Sequence, residues 1–297
     1  MENKSERKEE LRILILGATK GIGFYLLKYF NSIGIFTIGL GRQKSNINVL
    51  YEISISQTDQ IEDLIDDNRI NIIIHLVSGL RPSSSGMNFM DEIDNVIQPS
   101  SKIFKFCLKN NIKVIFISSA GVIYDESELI FSEKSVLNPK SFYGASKLMI
   151  ENHIKVIYEK SSKYLILRPT NIVNEIQDYG IFGAVANSVR NKQIFKIYGN
   201  SKKDYIHIEN FSQILLELIL NDVCDEILNI GSGYSFTANE IINEFERQLN
   251  LKINVCLNEK MNYDYDRVIV NMERLNLFVN VNFKKNYLEY LVHKFIH

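Results

Sequence analysis

The sequence predicts an α/β protein built on a doubly wound parallel sheet, with a small C-terminal α/β lobe. In the first half of the chain, apolar segments of strand length alternate with amphipathic segments of helical spacing. Such alternation is typical of parallel strands joined by right-handed helical crossovers. After about residue 171 the alternation is lost, which indicates a second and smaller unit.

The predicted elements follow in order along the chain. Strands are expected in the apolar segments Leu11–Leu16, Ile35–Leu40, Ile72–Val77, Lys113–Ser118, Tyr164–Leu167 and Glu226–Ile230. A helix is predicted over Ile22–Ile33, and a longer one from Asn95 to Asn110. The chain from Tyr234 onward predicts two helices and a strand over Lys252–Leu257.

These elements divide the chain into two units. Residues 11–171 predict the sheet domain, to which the chain returns at about 204–231. Residues 172–203 and 232–297 predict the lobe. Residues 1–10 are charged and polar without an apolar stretch, so they predict a disordered tail and not a signal peptide.

Composition narrows the class of protein. Of the 297 residues, 45% are hydrophobic and the formal net charge is -1. The sequence has no basic block and no membrane-length apolar run, so we expect neither nucleic acid nor membrane as a partner. Cys107, Cys224 and Cys256 are widely separated, so free thiols in a reducing, cytoplasmic environment are expected. The five histidines lack metal-ligand spacing, so no metal is predicted.

A glycine-rich segment lies directly between the first predicted strand and the first predicted helix. Its residues are Gly17, Ala18, Thr19, Lys20, Gly21, Ile22 and Gly23. Glycines at such a junction let the backbone turn tightly and approach a pyrophosphate, which then lies at the positive end of the helix. The segment predicts dinucleotide binding on a Rossmann fold. The alternative is a tight turn with nothing bound.

The end of the second predicted strand bears on which dinucleotide is bound. NAD-binding proteins normally place an Asp or Glu there to bind the ribose hydroxyls. This strand ends at Leu40 and is followed by Gly41 and Arg42. A guanidinium at this point, together with Lys20, suits a 2′-phosphate. We therefore predict NADP(H) in preference to NAD(H). The alternative is that Arg42 is a solvated loop charge.

Three Tyr-x-x-x-Lys pairs occur in the sequence: Tyr143/Lys147, Tyr198/Lys202 and Tyr290/Lys294. Only the first begins a predicted helix after a strand that ends in serines. Residues four apart share a helix face, so the ammonium of Lys147 can lower the pKa of the Tyr143 phenol from its usual value of about 10. This pair predicts a tyrosine that transfers a proton. We interpret the other two pairs as surface coincidences.

These motifs resemble the short-chain dehydrogenase/reductase superfamily. The resemblance rests on the glycine segment, on the strand that ends in Ile117-Ser118-Ser119, and on the segment from Tyr143 to Lys147. Four further stretches resemble its extended branch, the nucleotide-sugar epimerases, dehydratases and reductases: His75–Ser78, Leu167–Asn171, Asp204–Ile208 and Leu228–Gly233. The resemblance covers nearly the whole chain after Glu10.

The resemblance implies a role for each matched residue. Tyr143 exchanges a proton with the sugar hydroxyl, Lys147 binds the nicotinamide ribose, and a serine or threonine after the strand Lys113–Ser118 steadies the sugar oxygen. The expected cofactor-binding residues are Gly17, Thr19, Lys20, Gly21, Ile22, Gly23, Arg42, Leu76, Val77, Ser78, Asn95, Lys147 and Pro169. The expected substrate-binding residues are Ser119, Tyr143, Asn171, Lys203 and Arg267. For Asn95 the alternative is a role at the start of a helix.

Three positions depart from the extended branch. Lys20 lies where its middle glycine falls, which resembles an NADP-selecting position in another branch of the superfamily. Alignment on the following Ile-Tyr places Ala120 at the catalytic serine, whereas counting along the strand places Ser119 there. We predict Ser119, with Ser118 as the alternative hydroxyl. Lys203 replaces the usual arginine, and a lysine cannot form the two parallel hydrogen bonds that an arginine makes to a phosphate.

The resemblance leaves the reaction open. A ketoreductase consumes a reduced cofactor at each turnover, which suits NADPH, so we predict reduction of a nucleotide-linked 4-keto hexose with Tyr143 as proton donor. The alternative is an NAD-dependent C4 epimerase similar to UDP-glucose 4-epimerase. A 4,6-dehydratase is disfavoured because Ala120-Gly121 replaces the expected Asp-Glu pair. The intact Tyr143/Lys147 pair disfavours a silent NADP or sugar-nucleotide sensor. The resemblance also implies a homodimer and a role in polysaccharide biosynthesis.

Overall fold

The computed structural model describes residues 4–43, 47–84, 89–176, 180–259 and 264–296. In chain order, its strands are β1 (Arg12–Leu16), β2 (Phe36–Gly41), β3 (Leu50–Glu52), β4 (Ile72–His75), β5 (Lys113–Ile117), β6 (Tyr164–Pro169), β7 (Asn171–Val173), β8 (Phe195–Tyr198), β9 (Lys202–His207), β10 (Glu226–Ile230), β11 (Ser235–Phe236), β12 (Val255–Asn258) and β13 (Arg267–Val268). Its α-helices are α1 (Lys4–Glu10), α2 (Gly21–Ser32), α3 (Thr58–Asp67), α4 (Phe89–Glu92), α5 (Gln98–Lys109), α6 (Ala120–Ile123), α7 (Phe142–Ile157), α8 (Gly180–Arg190), α9 (Ile208–Leu220), α10 (Ala238–Leu249) and α11 (Tyr287–Ile296).

Seven strands form one central sheet in the order β10-β6-β5-β4-β1-β2-β3, and every neighbouring pair is parallel. Successive residues of β1 face opposite sides of the sheet. Ile13 and Ile15 join the core under α2 and α9, whereas Leu14 and Leu16 join the core under α3, α5 and α7. The predicted doubly wound parallel sheet is therefore confirmed.

The predicted strands of this sheet are present, each within two residues of its expected ends. The first predicted helix is found as α2. The short strand β3 was not predicted. β1 lies between β2 and β4, so the strand order reverses at β1, and open α/β sheets bind ligands at such a reversal, outside the carboxyl ends of the strands.

The second unit contains two small sheets. One has the order β11-β9-β13 with β7 also paired to β9, and the other joins β12 to β8. Helices α8, α10 and α11 meet in a separate core that contains Phe182, Phe245 and Phe295. Because β9 pairs with β7 and β13 in a small sheet, the chain rejoins the central sheet through α9 and β10, within the range of about 204–231 that the sequence indicated.

The N-terminal segment differs from the predicted disordered tail. Residues Lys4–Glu10 form helix α1, which lies against α9. The Arg7 guanidinium is 2.8 Å from the carboxylate of Asp222, at the end of α9. This ion pair gives a polar segment a partner that its own composition does not reveal. Residues 1–3 of the predicted tail lie outside the described residues.

The helix predicted from Asn95 to Asn110 also differs. A π-helical turn over Ile93–Ile97 precedes α5, which ends at Lys109. Pro99 is the second residue of α5, and it has no N–H to donate to the carbonyl of Asn95. A wider turn at this point accommodates the missing hydrogen bond.

Cys107, Cys224 and Cys256 carry free thiols. Within the described ranges, no helix has both the length and the apolar character needed to cross a membrane.

Candidate active site

A cavity of about 750 Å³ opens at the carboxyl ends of β1, β2 and β4. Predicted cofactor-binding residues in its wall are Gly17, Thr19, Lys20, Arg42, Leu76, Val77, Ser78 and Asn95. The others are not among its lining residues: Gly21, Ile22 and Gly23 form the first turn of α2, Lys147 is buried in α7, and Pro169 is buried at the end of β6. The cavity lies where the sheet topology predicts a ligand.

The glycine segment turns tightly between β1 and α2. Gly17 has φ +93°, a left-handed conformation, and a Cβ at this position would lie 3.3 Å from the backbone N of Val77. At Gly23 a Cβ would lie 2.2 Å from the carbonyl oxygen of Gly17, so only glycine lets α2 approach β1 this closely. Lys20 makes no side-chain cap for α2, whose first turn has no acidic residue. The amino end of this helix therefore suits an anionic group.

A side chain at Gly41, the last residue of β2, would collide with the side chain of Thr19 as it is placed. A Cβ there would lie 2.0 Å from Cγ2 of Thr19. The next residue, Arg42, is exposed on the rim of the cavity, and the exposed Lys20 lines the same cavity. The acidic residues of this wall, Asp91 and Glu92, come from α4 and not from the end of β2.

The predicted tyrosine–lysine pair lies at the start of α7. The Ser141 side chain caps this helix by accepting a hydrogen bond from the Gly144 N–H at 3.1 Å. Lys147 is 3% exposed, and its ammonium donates to the carbonyl oxygen of Ile117 at 3.1 Å. The same ammonium lies 5.7 Å from the ring centroid of the half-buried Tyr143. Burial lowers the pKa of Lys147 to about 8, against the opposing effect of nearby carboxylates.

Ser118, Ser119 and Ala120, the three residues that could occupy the position of the catalytic serine, have different surroundings in the structure. Ser119 is half-buried and lines a second cavity together with Tyr143. Ser118 is 3% exposed, and its Oγ has no hydrogen-bond partner among the described residues. Ala120 is fully buried at the start of α6. The position of Ser119 therefore suits the predicted role, although the role itself stays a prediction.

The second cavity, of about 640 Å³, lies between the central sheet and the lobe. Its wall includes Ser119, Tyr143, Asn171 and Lys203, and its lobe side carries the aromatic residues Phe182, Phe195, Tyr198, Tyr205 and Phe295. The Asn171 side chain donates to the carbonyl oxygen of Asp204 at 2.9 Å, and Lys203 forms an ion pair with Asp264. Arg267 is exposed on β13 and is not among the residues that line this cavity.

Asp204 is a buried carboxylate between Lys203 and Tyr205, two residues that line the second cavity. It accepts hydrogen bonds from the Ser232 N–H and hydroxyl at 2.9 and 3.0 Å and from the Gly233 N–H at 3.1 Å. Burial raises its pKa to about 6, against the effect of these donors. Asp204 thereby joins β9 to the loop after β10. The sequence indicated it only as part of a matched stretch, without this role.

A Rossmann sheet with a glycine turn after β1 and a Tyr143/Lys147 pair at the start of α7 is typical of dinucleotide-dependent enzymes of the short-chain dehydrogenase/reductase type. The model of the NAD dependent epimerase/dehydratase family matches residues 13–231. The chain belongs to this family, and it is an enzyme. The family that the motifs resembled is thereby confirmed.

Two relatives with assigned names differ in reaction. The chain is 29% identical over 223 residues to the dTDP-4-dehydro-6-deoxyglucose reductase of Escherichia coli. This match covers 72% of this chain and 71% of the reductase. The chain is 26% identical over 222 residues to a putative UDP-glucose 4-epimerase of Methanocaldococcus jannaschii, with 70% and 72% covered. Of these two relatives, one is therefore named a reductase and the other an epimerase.

Solved structures agree on the fold. The UDP-glucose 4-epimerase of Thermotoga maritima, solved with UDP-glucose, has a TM-score of 0.85 at 20% identity, covering 96% of this chain and 98% of that chain. A mutant UDP-glucuronic acid 4-epimerase of Bacillus cereus, solved with NAD, also has a TM-score of 0.85 at 18% identity, with the same coverage. At these identities the likeness concerns the fold alone.

Proposed function

We propose that this enzyme reduces a nucleotide-linked 4-keto hexose with NADPH. The observation that carries the proposal is the end of β2, where Gly41 stands in place of an acidic residue and Arg42 and Lys20 supply positive charge. A 2′-phosphate gains from these cations, whereas a plain diol does not. The E. coli relative, a reductase of a dTDP-linked keto sugar, supports the same reaction.

The residues around the second cavity account for the proton chemistry. The bound dinucleotide supplies the hydride. Tyr143 and Ser119 line one cavity wall, so both hydroxyls can donate hydrogen bonds to the carbonyl oxygen at C4 of the sugar, and Tyr143 transfers its proton to that oxygen. The Lys147 ammonium stabilises the resulting tyrosinate. A positioned general acid of this kind contributes about 10²–10⁴-fold to the rate.

The substrate is expected to extend from Tyr143 toward the lobe. Asn171 and Lys203 line this path, and the aromatic residues beyond them offer apolar faces for a nucleotide base. Lys203 already has a carboxylate partner, Asp264, so its charge is shared between the protein and a diphosphate. Arg267 completes the proposed set only if its exposed side chain turns toward the cavity.

Assembly and location also stay proposals. We expect a homodimer because α7 exposes Met149 and Val156, 42% and 73% accessible, beside a shallow surface shared with α5. A cytoplasmic enzyme of polysaccharide biosynthesis would fit the free thiols and a nucleotide-sugar substrate. Size-exclusion chromatography with light scattering measures the oligomeric state directly.

The second candidate is an NAD-dependent C4 epimerase. The putative UDP-glucose 4-epimerase among the relatives favours it, as do fold neighbours whose structures contain NAD. An epimerase oxidises and re-reduces the same sugar, so it retains its cofactor through the cycle. The two reactions therefore differ in net cofactor consumption.

The experiment that separates them uses purified protein with UDP- and dTDP-linked sugars. The proposal expects oxidation of NADPH, followed at 340 nm, with 4-keto-6-deoxyhexose nucleotides as substrates. Tyr143→Phe serves as the inactive control. Interconversion of UDP-glucose and UDP-galactose by protein that retains NAD would establish the epimerase instead. Absence of turnover with tight NADP or sugar-nucleotide binding would indicate the sensor.

A further inference from the structure

We propose that Glu92 is a positioning residue for Lys147, because its buried carboxylate joins the loop that lines the dinucleotide cavity to the helix that carries this lysine. The inference rests on the proposed function, in which Lys147 acts on the dinucleotide and on Tyr143. The sequence offered no signal for it, since Asp91-Glu92 reads as an ordinary acidic pair at the start of a helical segment.

Three donors from two distant segments converge on this carboxylate. One oxygen accepts from the Ser78 hydroxyl at 3.0 Å and from the Ser146 hydroxyl at 2.9 Å. The other accepts from the Gly79 N–H at 2.7 Å. Ser78 and Gly79 follow β4 beside the cavity, and Ser146 precedes Lys147 on α7. Glu92 thus sets the spacing between the cofactor loop and the catalytic helix.

The local backbone is adapted to this contact. Glu92 is the last residue of α4, and the π-helical turn follows it directly. π-Helical turns are rare and frequently occur at functional sites. At Gly79 a Cβ would lie 2.7 Å from the carboxylate of Glu92, so the contact requires a glycine there. The side chain is only 2% exposed although its residue type is normally solvated.

Several charged or titratable groups face Lys147. The carboxylates of Glu92, on α4, and Glu151, on the same helix as Lys147, both raise the pKa of Lys147. His75 faces it from β4 and is neutral, since burial holds the pKa of this histidine at about 3. Tyr143 lies one turn earlier on the same helix. Burial of the ammonium opposes its charge, so the carboxylates preserve the charged form.

The two carboxylates are not equivalent. Glu151 already accepts three hydrogen bonds from the Arg168 guanidinium at 3.1, 3.2 and 2.6 Å, so its charge is balanced by that buried arginine. Glu92 is held by neutral donors, two hydroxyls and one backbone N–H. Within the part of the chain that the structure describes, no positive side chain is hydrogen-bonded to Glu92, so its negative charge is less neutralised at Lys147 than the charge of Glu151, which is paired with Arg168.

The test substitutes Glu92→Gln and measures NADPH affinity, by fluorescence titration, from pH 6 to pH 10. When the Lys147 ammonium loses its proton, its hydrogen bonds to the ribose are no longer assisted by a positive charge. The affinity of the wild-type protein for NADPH is therefore expected to fall as the pH rises through about 8. Removing a neighbouring negative charge disfavours the ammonium, so the fall is expected roughly one pH unit lower in the variant. The basic limb of kcat/KM is expected to move in the same direction.

Two matched variants separate charge from structure. Ser146→Ala removes the hydrogen bond that joins Glu92 to α7 but keeps the negative charge, so NADPH affinity is expected to weaken at every pH while the midpoint of the fall stays at the wild-type pH. Glu92→Asp keeps the charge on a shorter side chain, so a smaller shift toward low pH is expected. If Glu92→Gln does not fold, the aspartate variant decides the question.

A midpoint that does not move in the Gln variant, or in the Asp variant where only that one folds, would overturn the proposal and leave Glu92 a structural residue. NADPH binding needs no sugar, so the titration remains decisive if the proposed reductase activity is not found. Where NADH binds more tightly than NADPH, the same titration is made with NADH. Loss of the proposed reaction and loss of the role of Glu92 are therefore observed separately.

Discussion

Replacing Arg42 by aspartate is expected to move cofactor preference from NADP(H) toward NAD(H). Arg42 is exposed on the rim of the dinucleotide cavity, so the substitution creates no packing defect. The preceding residue is unsuitable for the same test, because a side chain at Gly41 would collide with Thr19. Arg42→Asp therefore changes the charge at the end of β2 without moving the glycine turn.

The expected change in NADPH affinity depends on how far Arg42 is exposed to solvent. Hydrogen bonds to charged groups contribute about 1.5–3 kcal/mol, whereas exposed ion pairs contribute about 0.2–1 kcal/mol. For an exposed arginine that partly desolvates on binding, a value of about 1.4 kcal/mol corresponds to a tenfold loss of NADPH affinity. The new carboxylate also repels the 2′-phosphate and can accept the ribose hydroxyls of NAD. Together these effects predict a change of roughly 30- to 100-fold in the NADPH/NADH preference.

The assay compares kcat/KM for NADPH and for NADH at low ionic strength, where the charge effect is least screened. Lys28→Asp is the matched control, since it makes the same change of charge at an exposed position of α2. A ratio that stays constant in Arg42→Asp, or a wild type that prefers NADH, would refute the electrostatic reasoning. The epimerase would then become the preferred function.

Three further substitutions test the site and its scaffold. Tyr143→Phe is expected to lower kcat about 10²–10⁴-fold while calorimetry still detects cofactor and sugar-nucleotide binding; retention of a tenth of the rate would rule out its role as proton donor. Ser119→Ala is expected to lower kcat far more than Ser118→Ala, because only Ser119 lines the substrate cavity, and equal small effects in steady-state kinetics would contradict this. Glu151→Gln is expected to destabilise the fold by about 3–5 kcal/mol, because it leaves the Arg168 guanidinium, 1% exposed, without its carboxylate partner; urea unfolding measures this, and a loss below about 1 kcal/mol would show that Arg168 finds another partner.

The sequence by itself determined the central sheet and the place of the glycine turn within it. Strands such as β1 and β5 are continuous apolar runs because both faces of a parallel sheet are buried, so their ends could be predicted closely. The glycine turn and the Tyr143/Lys147 pair were also readable, because each lies within a few consecutive residues. Local spacing alone fixes which side chains share a turn or a helix face.

The tertiary structure decided the features that depend on distant segments. That Ser119 lines the second cavity while Ala120 is buried depends on how α6 leaves the sheet, and the exposure of Arg267 depends on the pairing of β13 with β9. Glu92 and Ser146 are 54 residues apart in sequence, and the periodicity of neither helix encodes their contact. A buried carboxylate acquires its role from the donors and charges that packing brings to it, and for Glu92 those come from the β4 loop and from α7.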